Sequence, residues 1–459
     1  MTRERRKKAT MRFTSRTRFV AVGAVAALAA LTACGAPGGG DKAEAGPAVD
    51  DVAAWGEATG TVQFWDTNST PELKAKWAEL IDRFEEANPD ITVEYLGIPN
   101  SSYLEKVDNA LASGEVPDVL LIGNDVAGFI ARDAFEKIDG PFSESLEAST
   151  DPVQVATERE NAPDGGLYKA PLSAISDVIW YRTDWVEAAG LEQPTSYDEF
   201  YELTEQMTAA DEGRFGFAFR GGPGSMPPMF SMAYGMAGIG EFFTEDGQST
   251  FDDPAVVAGL ERYVSLFDSV SAPADLTNDY TKIVAAFGGG SAWSMHHNLG
   301  SYQDHLRNLG GENVMGVQSF PDADGVSTVT SPGISGLSIL KDADNKAAGW
   351  KFVEFMATEG NSDWSEAIGQ VPANLEAQKA PWVAESQPLE AVVALTENPD
   401  TQYLRLPTYL PEYGSILKTE MEPDFQGILQ GTMTAQEFAT KYADRFEASL
   451  ADYEEFVQK

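Results

Sequence analysis

Residues 61–122 read TVQFWDTNSTPELKAKWAELIDRFEEANPDITVEYLGIPNSSYLEKVDNALASGEVPDVLLI, and this stretch decides the fold. Thr61-Val62-Gln63-Phe64-Trp65 reads as a strand, and Asp66 to Pro71 as a turn. Leu73, Trp77, Leu80, Ile81 and Phe84 then recur at helical spacing until Asn88-Pro89-Asp90 stops the helix. Ile91–Tyr95 is a second strand and 103–113 a second helix. Val119–Ile122 is apolar throughout, as expected for the middle of a parallel sheet. Strand, helix, strand, helix, strand is the order of an open α/β sheet. The same grammar returns downstream, with strands expected over 177–181, 215–219, 291–295, 314–320 and 336–340. Helices are expected over 197–209, 255–267 and 346–358, and mostly helix from about Pro372 onward.

Upstream of this body lie Arg3, Arg5, Arg6, Lys7, Lys8, Arg12, Arg16 and Arg18, then an apolar run from Phe19 to Leu31. A basic head, a short apolar middle and small residues form a secretory signal. The run is shorter than the ~20 residues a spanning helix needs. Leu31-Thr32-Ala33-Cys34-Gly35 resembles a bacterial lipobox, in which the thiol of Cys34, the chain's one cysteine, would carry a lipid. A plain secretory signal with an incidental cysteine is the alternative. Residues 1–33 are therefore expected to be a removable leader, 34–60 a Gly- and Ala-rich tether, and the mature protein a monomer lipid-anchored on the outer face of the cell membrane.

Net charge is −40, and −47 once the leader's eight basic residues and one acid are gone. Nucleic acid and anionic lipid are bound largely through cationic side chains, so neither is expected as a partner. A body of about 400 residues exceeds the ~250–300 that one core supports, which makes two lobes the natural division.

The order of segments resembles the extracellular sugar-binding proteins of ABC transporters, the class that includes maltose-binding protein. The resemblance rests on several stretches. Pro117-Asp118-Val119 leads to Gly123-Asn124-Asp125, and Leu167-Tyr168-Lys169-Ala170-Pro171-Leu172 is followed by Ile179-Trp180-Tyr181. Later come Ala286-Phe287-Gly288-Gly289-Gly290-Ser291-Ala292-Trp293, Ala347-Ala348-Gly349-Trp350-Lys351-Phe352 and Gly369-Gln370-Val371-Pro372-Ala373. It implies a two-lobe α/β fold of periplasmic-binding-protein type, each lobe discontinuous. Lobe 1 would comprise 61–174 plus 333–372, lobe 2 175–332 plus 373–459, with hinge crossovers near Ile175, Pro332 and Pro372. It implies capture of a sugar or polyol between the lobes and delivery to ABC transporter permease subunits, without catalysis or cofactor. Ile122 and Ile175 stand where maltose-binding protein has an aromatic and an acid, which argues against maltose.

A neutral sugar needs planar polar groups for its hydroxyls and aromatic rings for its faces. In open α/β sheets these lie beyond the carboxyl ends of strands. That rule selects Asp66, Asn68 and Ser69 after the first strand, Asn124 and Asp125 after the third, and Ser173 at the crossover. It also selects Arg220 beside Gly221-Gly222, and Trp293, His296 and Asn298 around the 291–295 strand. Period-two alternation places Trp293 and Met295 on one face. Tyr409, in Arg405-Leu406-Pro407-Thr408-Tyr409-Leu410-Pro411-Glu412-Tyr413, is expected to wall the cleft. Adjacent histidines on a strand point to opposite faces, so His296 and His297 do not suggest a metal site. The rival classes are a glycoside-acting enzyme, which needs two carboxylates across the bond it cleaves, and a purely structural lipoprotein.

Overall fold

The computed structural model describes residues 52–67, 70–322 and 324–457, with the side chains of Asn100, Ser101, Asp268, Glu312 and Glu397 left aside. The leader, Cys34, Asn68 and Ser69 lie outside the described residues. Among these residues the strands, in chain order, are β1 Gly60–Asp66, β2 Ile91–Gly97, β3 Val119–Ile122, β4 Ala170–Ile175, β5 Asp177–Arg182 and β6 Phe215–Ala218. They continue with β7 Ala292–Asn298, β8 Val314–Val317, β9 Thr328–Thr330, β10 Gly333–Ile339, β11 Val371–Pro372 and β12 Gln402–Leu404.

Two main sheets result, one ordered β11-β4-β10-β3-β1-β2 and the other β6-β7-β5-β8, with β12 and β9 forming a short pair. The chain passes from the first sheet to the second between Ile175 and Asp177, leaves the second after β8, runs through β9 and re-enters the first at Gly333. All four residues of β3 are buried as expected. Its neighbours are β1, parallel, and β10, antiparallel, so the sheet is mixed.

Local sequence explains the elements. Thr70 caps the helix Pro71–Ala87, its Oγ1 accepting from Leu73 N at 3.3 Å, and Pro71 sits where no N–H is needed. That helix buries Trp77, Leu80, Ile81 and Phe84 against the first sheet, with Trp77 4.7 Å from Phe64 and 4.1 Å from Trp364. Asp118 accepts from Gln63 N at 2.8 Å and from Asn345 N at 2.7 Å, tying β1 to the entry of the helix Lys346–Ala357.

The second sheet is covered on both faces. Phe200, Phe217 and Phe230 fill one side, and Trp180, Phe287 and Met295 the other. The C-terminal helix Ala435–Val457 buries Phe438, Tyr442 and Phe446 in the first of these cores. β4, β9, β11, β12 and the helix Met226–Ala237 are elements the sequence pattern does not announce. That helix is apolar nearly all round, so it carries no amphipathic signal.

Candidate functional site

A cavity of about 730 Å³ lies where the two sheets meet. The loop after β3 contributes Asn124, and β4 ends there in Ile175. The second sheet contributes Asp177 and Asn298, the loop after β6 Arg220, the segment between β9 and β10 Ser331, and the start of β10 Gly333. The C-terminal region supplies Thr408, Tyr409, Tyr413 and Tyr453. Two adjoining chambers of about 570 and 430 Å³ share Asp125 and Lys418 with each other. The first shares Ile175 with the main cavity, and the second shares Asn124, Thr408 and Tyr413 with it. The three adjoin through these shared residues and are treated together as the cleft.

Arg220 follows β6 and its Nε donates to Pro223 O at 2.8 Å. Its guanidinium lies over Gly224, where a Cβ would stand 1.8 Å from an Arg220 nitrogen and where φ is +81°. Only glycine combines that conformation with that approach. Gly224 N donates to Glu422 at 2.6 Å, placing a carboxylate beside the guanidinium. Burial pushes the Asp177 carboxyl up to about 6, against the opposing pull of Arg220. No ion pair joins Asp177 to Arg220 among the described residues, so both face the cavity with polar capacity to offer.

Beneath the cavity Lys169 and Glu158 form a buried ion pair at 3.1 Å. Burial pushes the Glu158 carboxyl up and the Lys169 ammonium down, each resisted by the partner's charge. Three contacts bridge the sides of the cleft: Lys418 to Asp125 at 3.9 Å, Thr408 Oγ1 to Asn161 Oδ1 at 2.9 Å, and the ion pair of Arg405 with Glu160.

Of the residues selected from sequence, Asn124, Arg220, Asn298 and Tyr409 come together in the main cavity, and Asp125 lines both adjoining chambers. The other described candidates lie elsewhere. Asp66 is buried, accepting from Trp77 Nε1 at 2.5 Å and from Tyr95 Oη at 3.4 Å. Ser173 is buried and donates to Gln370 Oε1 at 2.7 Å, so it supports a lining residue without lining the cleft itself. His296 is buried against the helix Met226–Ala237, its Nε2 3.2 Å from Ser231 Oγ.

Trp293 is a core residue, packed on Phe200 and Tyr181, with its indole N–H donated to Arg182 O at 2.9 Å. Its ring and Met295 fall into separate cores, so the expected alternation fails at the start of β7. Sequence reading missed Asp177, Asn161, Tyr413 and Tyr453. The strand-end rule could have found Asp177, had β5 been seen to run antiparallel to β7.

The carboxylates that line the main cavity differ in commitment. Glu158 is paired with Lys169 and Glu160 with Arg405, while Asp177 has no ion pair among the described residues. A carboxylate, a guanidinium, two amides and three tyrosines can satisfy hydroxyls and cover apolar C–H faces. Among the described residues, no group of three or more His, Cys, Asp or Glu side chains is placed to hold a metal ion, and no helix is long and apolar enough to cross a membrane.

Comparison with known proteins agrees with this architecture. Residues 67–363 match the family model for bacterial extracellular solute-binding proteins. A putative ABC transporter periplasmic-binding protein of Escherichia coli, YcjN, is 24% identical over 248 residues, 50% of this chain and 54% of that one. The chain thus spans about half the length of that relative. Maltose-bound MalE3 of T. maritima superposes with a TM-score of 0.72 at 20% identity, over 84% of this chain and 99% of that one. A solute-binding protein of Agrobacterium radiobacter in complex with ribitol gives a TM-score of 0.68 at 20% identity, over 85% and 99%.

Proposed function

The chain belongs to the bacterial extracellular solute-binding proteins, and on that premise we propose that it captures a sugar or polyol in the cleft and delivers it to an ABC transporter permease. The observation that carries this reading is the 730 Å³ cavity in which Asn124, Asp177, Arg220 and Asn298 converge opposite Tyr409, Tyr413 and Tyr453. Amides, a carboxylate and a guanidinium take hydroxyls in several directions, and tyrosine rings take the C–H faces. The structural neighbours bound to maltose and to ribitol fit the same chemistry.

The lobes divide near Ile175, Pro332 and Pro372, and ligand binding favours the closed arrangement because only then do both sides reach it. The protein binds without turnover. Cys34 carries a lipid that holds it, as a monomer, at the outer face of the membrane, as the motif Leu31–Cys34 suggests.

A thermal-shift screen of the leader-free protein against mono-, di- and oligosaccharides and polyols tests the ligand class, with product analysis of each mixture. A ligand at ~100 times its Kd stabilises by roughly 2.7 kcal/mol. Appearance of a cleaved sugar would replace transport by hydrolysis. Retention of Cys34→Ala at the membrane, with the leader removed, would overturn the lipid anchor.

A further inference from the structure

We infer that Lys169 is the positioning residue of the cleft: from below, its ammonium fixes where Asn124 and the backbone of Gly333–Ile334 stand. The inference rests on the cleft being the binding site.

An ammonium has three N–H donors and no acceptor. All three are used here, on Gly123 O at 2.8 Å, Ile334 O at 2.8 Å and Glu158 Oε1 at 3.1 Å. Gly123 precedes Asn124 in the loop after β3, and Ile334 follows Gly333 in β10. Asn124, Gly333, Ile334 and Glu158 all line the main cavity. The two backbone segments also touch. A Cβ on Gly333 would stand 2.9 Å from both the nitrogen and the oxygen of the Asn124 amide, so that amide rests on the bare glycine. The negative charge of Asp125, the next residue of the loop, in turn favours the charged form of Lys169.

The fold makes room for this reach. Pairing of β10 with β4 shifts register between Ser335 and Gly336. Bulges of this kind interrupt a ladder and re-aim what lies beside it. At Gly336 a Cβ would stand 2.8 Å from Lys169 Cγ and 2.3 Å from Ala170 O, so the lysine stem crosses β10 where no side chain stands. A glycine, a bulge and a buried lysine thus converge on two carbonyls, each adjacent to a cavity-lining residue. Buried ion pairs seldom stabilise a fold more than apolar residues of the same volume would. What this one supplies is direction for the groups above it.

The test is the double variant Lys169→Met/Glu158→Gln, which removes both charges, keeps both stems and leaves no buried charge unpaired. Hydrogen exchange read by mass spectrometry on the ligand-free protein should show peptides over 119–126 and 330–336 exchanging about tenfold faster, with the rest of the first sheet unchanged. Affinity for maltose or ribitol, whichever the unaltered protein binds, should fall about ten- to a hundredfold. If the double variant does not fold, Lys169→Gln/Glu158→Gln, which keeps two N–H donors and likewise leaves no buried charge unpaired, must show the same local effect in smaller measure.

Unchanged exchange in those peptides overturns the inference, as does faster exchange with unchanged affinity. Faster exchange throughout the first sheet makes Lys169 a general stabiliser and overturns it equally. If neither maltose nor ribitol binds the unaltered protein, the ligand is another sugar or polyol from the thermal-shift screen, and the exchange measurement decides the positioning role alone.

Discussion

Asp177 and Asn298 are register partners across the antiparallel pair β5–β7, so the first residue of one strand and the last of the other stand side by side at the cavity edge. A carboxylate accepts from hydroxyls, and an amide both donates and accepts. Removal of the carboxylate in Asp177→Ala should weaken ligand binding about ten- to a hundredfold, by leaving hydroxyls unpaired in a desolvated site. Asp177→Asn, which keeps one acceptor, should lose less. Titration calorimetry of the two variants with the same ligand measures the difference.

Gly224 has no room for a side chain. A methyl group there meets the Arg220 guanidinium and forces a backbone conformation that side chains rarely adopt. Gly224→Ala should cost roughly 1–2 kcal/mol of stability. It should also lower affinity by as much as Arg220→Ala does, although residue 224 bears no polar side chain. Denaturant unfolding and calorimetry on the same preparation separate the two effects.

These residues show what the sequence could reveal. Asn124 and Arg220 were legible because each follows a short, strongly patterned strand, where the strand-end rule applies directly. Asp177 was not, because the rule assumes parallel strands, and an antiparallel partner brings the start of β5 to the site. Trp293 and His296 were misplaced for a related reason. Both sit within β7, whose two faces are each covered by a core, so an aromatic or imidazole there packs inward. Tyr453 lies on the helix Ala435–Val457, whose docking beside Tyr409 at 5.3 Å depends on tertiary contacts that no local pattern announces.

Contacts across the cleft bias its opening. Lys418 with Asp125 and Arg405 with Glu160 are largely exposed pairs, so each contributes at most ~1 kcal/mol. Removing both in Lys418→Ala/Arg405→Ala should enlarge the ligand-free radius of gyration in solution scattering. It should reduce affinity only severalfold. High salt should act on the unaltered protein in the same direction.

Acid should destabilise the fold. Burial pushes His296, His297 and His305 down to about 3 from 6.5. Between those values the unfolded chain binds protons that the folded chain refuses, so stability falls as pH falls through that window, by up to ~1.4 kcal/mol per pH unit for each group. Asp177 and Asp275, pushed up to about 6 from 3.8, act oppositely below pH 6. Glu158, Asp252 and Glu422 are also raised and act with these two, while Asp164, Glu199, Asp424 and Glu437 are lowered and act with the histidines, so seven groups against five leave a net loss on acidification. His305 packs edge-on against Trp180 and Phe287, and neither ring nitrogen has a partner among the described residues. His305→Phe should therefore flatten the pH dependence measured by thermal unfolding from pH 7 to 4.

The most direct test of the account is titration calorimetry of the bound sugar or polyol against Arg220→Ala and Asn124→Ala, whose side chains enter the cavity from its two sides. Each variant should remain folded and bind about ten- to a hundredfold more weakly than the unaltered protein. Unchanged affinity in both, with the fold intact, would mean that the ligand is held elsewhere and that this cleft is not the binding site.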